Sequence, residues 1–421
     1  MKSFTLNESG NWRAFRHKNF RILFRANIIA NIGSWIQRIA QAWLVLQLTQ
    51  SGTYLGIITA VQMASFLLVI LQGGAMADRF DKRKVLLITN LSFLITSLTL
   101  GLLVVTDNVR LWHVMTLAFV LGLTDGIDKP VRQSFVSELV GKTDIPNAIG
   151  LNSANFNFGR LAGPAVAGLL ISIFGTGPTF LISSCTYSFV IIANLRIKWD
   201  QLFEIPKALG PVSIKEGLQY VAARPDIFVT MLLCFFMATF SLNFEIFNAL
   251  ITTQVFEKGV TSFGLLGTFV AIGSFAAALF SSRLEKYRST RFVFIGSIVL
   301  SIIIFLTSLM PTYLTYSILL PFAGAAALTT IIAANSITQL NSDHIIRGRV
   351  LSIYQFAFLA GIPISSPIIG WSSEHFGIRP TISGCAVFTL IPILVIWVIY
   401  RDRIEVPDEI SVSAVLAIPE L

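Results

Sequence analysis

What most constrains this chain is the recurrence, along nearly all of its 421 residues, of apolar blocks about 20 residues long separated by short charged turns. About 20 apolar residues in a helix cross the hydrocarbon core of a bilayer, and backbone inside that core must satisfy its own hydrogen bonds. The pattern predicts an all-α polytopic membrane protein. Composition agrees: 54% of the residues are hydrophobic and only 13% charged, a balance outside the range of soluble domains. The first block follows a basic, aromatic lead-in with no small-residue cleavage site, so no cleavable signal peptide is expected.

Twelve spans are predicted, at residues 22–48, 54–77, 85–106, 111–129, 147–173, 178–195, 227–251, 263–281, 292–310, 314–336, 350–372 and 380–400. The longest interruption divides them six and six. It gives an N-terminal six-helix bundle with its lead-in (1–195), a linker (196–226), a C-terminal bundle (227–403) and a tail (404–421). In the linker, "SIKEGLQYVAARPD" predicts a surface helix with Ser213 and Glu216 as a capping box. Its apolar stripe would be Ile214, Leu218 and Val221, with Pro225 as the stop. The halves repeat: Gly159 aligns with Gly361, Gly168 with Gly370, and "FGTGPT" with "FGIRPT". A repeat of six spans predicts two pseudo-symmetric bundles with a site between them near the midplane.

Basic residues set the orientation. Of 31 Lys and Arg, 25 fall in segments on the side of the termini. Arg110, Lys258 and Arg379 lie on the other side, and Arg25, Arg38 and Arg160 within spans. This bias predicts both termini in the cytoplasm. It also accounts for the net charge of +9 through topology and lipid contact, with no nucleic-acid partner expected. The three cysteines are far apart in apolar segments and are expected to be small core residues, with no metal site.

A charge inside a span costs at least about 2.5 kcal/mol and must face protein or water. In span 1, Asn27, Asn31, Ser34, Arg38 and Gln41 fall on one helical face, and in span 5 Ser153, Asn157 and Arg160 repeat the theme. These stripes predict a cavity lining or, less simply, interhelical hydrogen bonding. Glu245, beside Asn243 in span 7, is the only carboxylate deep in a predicted span. It sits at a depth similar to that of Arg38, so the two either pair across the halves or each meet separate polar neighbours. Asp125 and Asp128, with Arg132 one turn beyond, lie near the inner end of span 4 and are expected at a cytoplasmic gate with Arg79 and Arg83.

Two runs are more specific. "GGAMADRFDKRK" joins spans 2 and 3, with Gly74, Asp78, Arg79 and Arg83 in an ordered Gly-x-x-x-Asp-Arg-x-x-x-Arg frame. "GRLAGPAVAG" in span 5 has Gly159 and Gly163 on one small-residue face, Pro164 as a kink, and Gly168. Together with "DKPVRQSFVSELV" and "LNSDHIIRGRV" at matching places after spans 4 and 10, these resemble the major facilitator superfamily, in its macrolide-efflux-like branch of drug:proton antiporters. The resemblance covers residues 12–400. It implies that the 2–3 loop latches the bundles on the cytoplasmic face and that the span 5 run is the antiporter signature. Asp81 stands where that superfamily usually has glycine, the second-half loop "SSRLEKYRSTR" lacks the aspartate, and span 4 has no arginine between Leu111 and Thr124. Proton coupling is therefore implied by the resemblance alone.

The expected function is a monomeric secondary carrier that exports an amphipathic small molecule, drug or macrolide-like, against inward proton movement, with no bound cofactor. A siderophore or lysolipid exporter, or a uniporter, is the alternative. A membrane-embedded enzyme is disfavoured, because all four histidines lie at or beyond the membrane ends and none pairs with a carboxylate in a span, and with no P-loop primary pumping would need another chain.

Overall fold

The computed structural model describes residues 12–203, 214–281, 283, 289–343 and 346–401, with side chains described except at 71–79 and 214. Its regular structure is helical: α1 (Lys18–Thr49), α2 (Gly52–Arg79), α3 (Lys82–Val105), α4 (Leu111–Phe174), α5 (Thr176–Leu195), α6 (Ile214–Ala223), α7 (Pro225–Phe236), α8 (Phe244–Gln254), α9 (Val260–Phe280), α10 (Thr290–Leu309), α11 (Tyr313–Leu340), α12 (Arg347–Ala360), α13 (Ile362–Phe376) and α14 (Ile378–Tyr400). Among the described residues, ten stretches of helix are long and apolar enough to cross a membrane by length and composition. One of these is the 64-residue α4, which holds both span 4 and span 5. Helix α1 is 32 residues long but is not among the ten; its polar residues dilute its apolar character.

The departures from the predicted spans have local causes. Spans 4 and 5 were expected to be separated by a connecting segment at 129–146. Instead the helix runs through it to Gly141, which breaks it at φ 69°, a conformation open to glycine. The Phe203 ring lies where a side chain at 141 would go, with a carbon 3.0 Å from an added Cβ. Span 7 is not one helix: α7 passes into a π-helical turn at Met237–Ser241, and α8 restarts at Phe244. Span 11 is divided at Gly361 into α12 and α13, with Pro363 at the start of α13. The linker helix exists, but Ser213 lies outside the described residues, and Pro225 opens α7 at its first turn as well as ending the linker. Of the expected stripe, Val221 is buried and Leu218 is exposed; Tyr220 is buried beside Val221. Cys234 and Cys385 are buried as expected, whereas Cys185 is exposed.

The chain forms two compact units that do not coincide with its two halves. One holds residues 12–50, 61–203 and 259–268; the other holds 51–60, 214–258 and the rest of the described chain from 269. The first three turns of α2 therefore belong with the spans of the second half, and the start of α9 with those of the first. Within each unit, glycine allows backbones to touch. A Cβ on Gly33 would lie 1.9 Å from Thr186 Oγ1, and one on Gly324 would lie 2.0 Å from the Val270 carbonyl oxygen, the small-residue packing that replaces hydrophobic drive between membrane helices.

Candidate functional site

Each residue of the α1 stripe meets a partner in its own unit. Asn27 Oδ1 accepts from Arg132 Nη1 at 3.0 Å, Asn31 Nδ2 donates to Asn155 Oδ1 at 3.0 Å, and Gln41 Nε2 donates to Gln62 Oε1 at 3.1 Å. Ser34 Oγ turns back to the Asn31 carbonyl at 2.8 Å. Arg38 Nη2 lies 3.8 Å from Asp125 Oδ2, and its guanidinium sits 5.4 Å from the centre of the Trp35 ring. Asp125 also meets Lys129 Nζ, one turn on, at 3.4 Å. Asn27 and Gln41 are buried, but the Arg38 side chain keeps 33% of its surface exposed. The stripe thus forms an interhelical seam, one of its two expected roles, and it opens at Arg38. Within its unit the partner of Arg38 is Asp125.

Asp128 and Arg132 form the centre of a second set of contacts. Arg132 Nε and Nη2 grip the two Asp128 oxygens at 2.7 and 2.9 Å, a two-point geometry that strengthens the pair. Arg132 Nη2 also reaches Asn90 Oδ1 at 3.3 Å, and Thr89 Oγ1 donates to Asp128 Oδ1 at 2.6 Å. Asp128, Thr89 and Asn90 are all buried. This network ties α1, α3 and α4 together. Arg83 is engaged elsewhere: its Nη2 donates to the Leu195 carbonyl at 3.1 Å and its guanidinium lies 4.8 Å from the Trp199 ring centre. Asp81, which takes the usual glycine place, caps α3 by accepting from the Arg83 amide at 3.0 Å. The expected latch of Arg83, Asp125, Asp128 and Arg132 is therefore divided among three sets of contacts. Gly74, Asp78 and Arg79 fall within 71–79, outside the described side chains.

The glycine run of span 5 is pressed between two neighbours. A Cβ on Gly159 would lie 2.8 Å from Asn31 Cβ, and one on Gly163 would lie 2.3 Å from Trp35 Cβ, both on α1. At Gly168 it would meet the Thr261 Cα of α9 at 3.0 Å, and the carbonyl of Pro164 is 2.2 Å from a Cβ built on Gly264. Ser153 is exposed, Asn157 Nδ2 bonds the Ser153 carbonyl at 2.8 Å, and Arg160 is half-buried.

In the other unit, Asn243 is buried and its Nδ2 donates to the Thr239 carbonyl at 2.8 Å, so it stabilises the π turn that interrupts span 7. Glu245 is half-buried in the first turn of α8, where free amides favour a carboxylate. The break in span 11 sits against this turn: a Cβ on Gly361 would lie 1.8 Å from Thr239 Oγ1.

Sequence reasoning missed Asn155, Gln62, Trp35 and Asn90. For Asn155 a signal existed, since it lies four residues before Gly159 and eight before Gly163, on the same face that packs against α1. Tyr187, whose hydroxyl donates to Gln37 Oε1 at 2.9 Å, carried none.

The sequence profile of the family described as transmembrane secretion effector matches residues 9–420. Among curated proteins, the staphyloferrin A transporter of Staphylococcus aureus is 26% identical, over 90% of this chain and 96% of that protein. The multidrug efflux pump Tap of Mycolicibacterium fortuitum is 24% identical, over 86% of this chain and 90% of that one. Among solved structures, a bacterial homologue of the human lysosomal transporter Spinster, inward-facing and occupied, superposes with a TM-score of 0.72 at 15% identity. That match covers 93% of this chain and 98% of the other and shows the shared fold.

Proposed function

The chain belongs to the transmembrane secretion effector family of major facilitator transporters, and from that we propose that it exports an amphipathic small molecule by alternating access, driven by inward proton movement. The observation that supports this reading best is Arg38 beside Asp125 within predicted spans, partly exposed and flanked by Trp35. An aromatic face next to a paired charge suits an amphipathic ligand, because a ring takes apolar surface while the ion pair offers alternative polar partners. Both termini are assigned to the cytoplasm on the lysine and arginine bias.

A second reading is export of an anionic chelator of the siderophore type. It is favoured by Arg38 and Arg160 within the spans of the first half and by the staphyloferrin A transporter among the relatives.

Transport in inside-out vesicles tests both. With an imposed pH gradient, the proposal expects uptake of lipophilic dyes or carboxylate siderophores that collapses when an ionophore dissipates the gradient. Uptake that is indifferent to the gradient excludes proton coupling, and preference between the two probe classes decides the substrate.

A further inference from the structure

Glu374 stands in the last turn of α13, where its charge opposes the negative end of its own helix dipole. Its partners explain the placement. One carboxylate oxygen accepts from Ser51 Oγ at 2.5 Å and from the Thr53 amide at 3.0 Å; the other accepts from Thr53 Oγ1 at 2.6 Å. These are the donors at the start of α2, whose first-turn amides lack helical acceptors. The carboxylate of one helix thus caps another, and both belong to the same compact unit.

The backbones below the cap are in contact. A Cβ on Gly56 would lie 2.1 Å from the Ser366 carbonyl oxygen, one on Gly370 2.1 Å from that of Gly52, and one on Gly52 2.5 Å from Ser373 Oγ. The internal repeat places an equivalent crossing elsewhere: Gly168, the counterpart of Gly370, meets the start of α9. There the counterpart of Glu374 is Ser172, whose hydroxyl is used by its own helix at 2.9 Å from the Leu169 carbonyl. At one crossing of the pair this position is a charged cap, and at the other it is a serine bonded to its own helix.

We propose that Glu374 is a latch: by capping α2 it holds spans 2 and 11 together on the membrane face that the charge bias assigns to the exterior. The contact is built to be broken. Glu374 is exposed, so water can replace each donor at small net cost, unlike the enclosed Asp128–Arg132 pair. Slight burial raises the Glu374 pKa, but the bonds from Ser51 and Thr53 outweigh it and hold the group below its ordinary value of 4.5. A depressed carboxylate stabilises its bonded state above that ordinary value and loses the effect only as pH falls through the lowered one. The latch therefore stays charged through the neutral range. Around it, residues 51–60 carry no acid or base but Tyr54. His375 is held by the Trp371 carbonyl at 2.9 Å, and Arg379 of α14 donates to the Ser308 carbonyl at 2.8 Å. Release then comes from competition for Ser51 and Thr53, not from titration near neutrality. The role of the latch in transport rests on the alternating-access reading above; its existence does not.

The test uses the full chain in lipid nanodiscs, with spin labels at Tyr54 and Ile368 and distances read by pulsed electron resonance. Glu374→Ala, and Thr53→Ala combined with Ser51→Ala, are each expected to raise a longer-distance population at least about twofold, by loss of the capping bonds. Glu374→Gln, which keeps the shape and loses the charge, is expected to fall between these variants and the wild type. The difference between the wild type and Glu374→Ala is expected to be the same at pH 6 and pH 8. Unchanged distances in both the Glu374→Ala and the Ser51/Thr53 variants overturn the latch. The readout requires no substrate, so a failure of the export reading leaves it interpretable.

Discussion

Arg38 of span 1 and Asp125 of span 4 face each other at 3.8 Å, with Lys129 3.4 Å from the same carboxylate oxygen. One acid is shared by two cations on different helices. The charge that required explanation in span 1 therefore has a protein partner, and that partner lies one helical turn from the buried Asp128–Arg132 pair.

If the Arg38–Asp125 pair acts in transport, its losses are not additive. Arg38→Gln and Asp125→Asn are each expected to lower vesicle transport roughly tenfold, and the double substitution little further, as residues in direct contact couple. Full additivity across the cycle is the contrary result.

Asp128 is expected to be a stability residue. Asp128→Asn strands a largely enclosed arginine and is expected to cost about 3 kcal/mol, the scale for breaking one side of a buried pair. Asp125→Asn, at a partly exposed site, is expected to cost no more than about 1 kcal/mol. Thermal unfolding in detergent compares the two directly.

Gly163 has no room for a side chain, since its Cβ would fall 2.3 Å from Trp35 Cβ. Gly163→Leu is expected to lower stability by about 2 kcal/mol or more through overpacking and to abolish transport by forcing α1 and span 5 apart. Gly150, with nothing within 4 Å, supplies the control: Gly150→Ala should be tolerated, and equal effects at both positions would count against the packing argument.

Acid should loosen the segment after span 4. Asp144 is enclosed, and burial alone would raise its pKa; the bond from His17 at 2.8 Å and the Arg16 charge at 2.8 Å outweigh this and lower it. Its stabilising contribution is therefore present above the ordinary carboxylate value and lost as pH falls through the depressed one. Wild type should be more stable than Asp144→Asn at pH 7, and the two melting curves should converge as the pH falls through the lowered value. A constant difference across that range would remove the linkage.

Some of this was legible in the chain because it depends on local composition. Block length and hydropathy determine the spans, and the runs around Asp78 and Gly163 carry the family resemblance. Even the polar face of α1 was legible, because 100° per residue fixes which side chains lie together. The partner across that face was not. Whether Arg38 meets Asp125 or another acid depends on the rotation and neighbours of each helix, which periodicity does not encode. Asp125 and Asp128 look equivalent in sequence, three residues apart; packing leaves one partly exposed and encloses the other. The breaks at Gly141, at Asn243 and at Gly361 likewise follow from neighbours, Phe203 at the first and the contact of Gly361 with Thr239 at the other two. Glu374 reads in sequence as a polar residue in a loop. Only the approach of α2, permitted by Gly52 and Gly56, turns it into a cap, because a helix end attracts charge from whichever chain segment the tertiary fold brings to it.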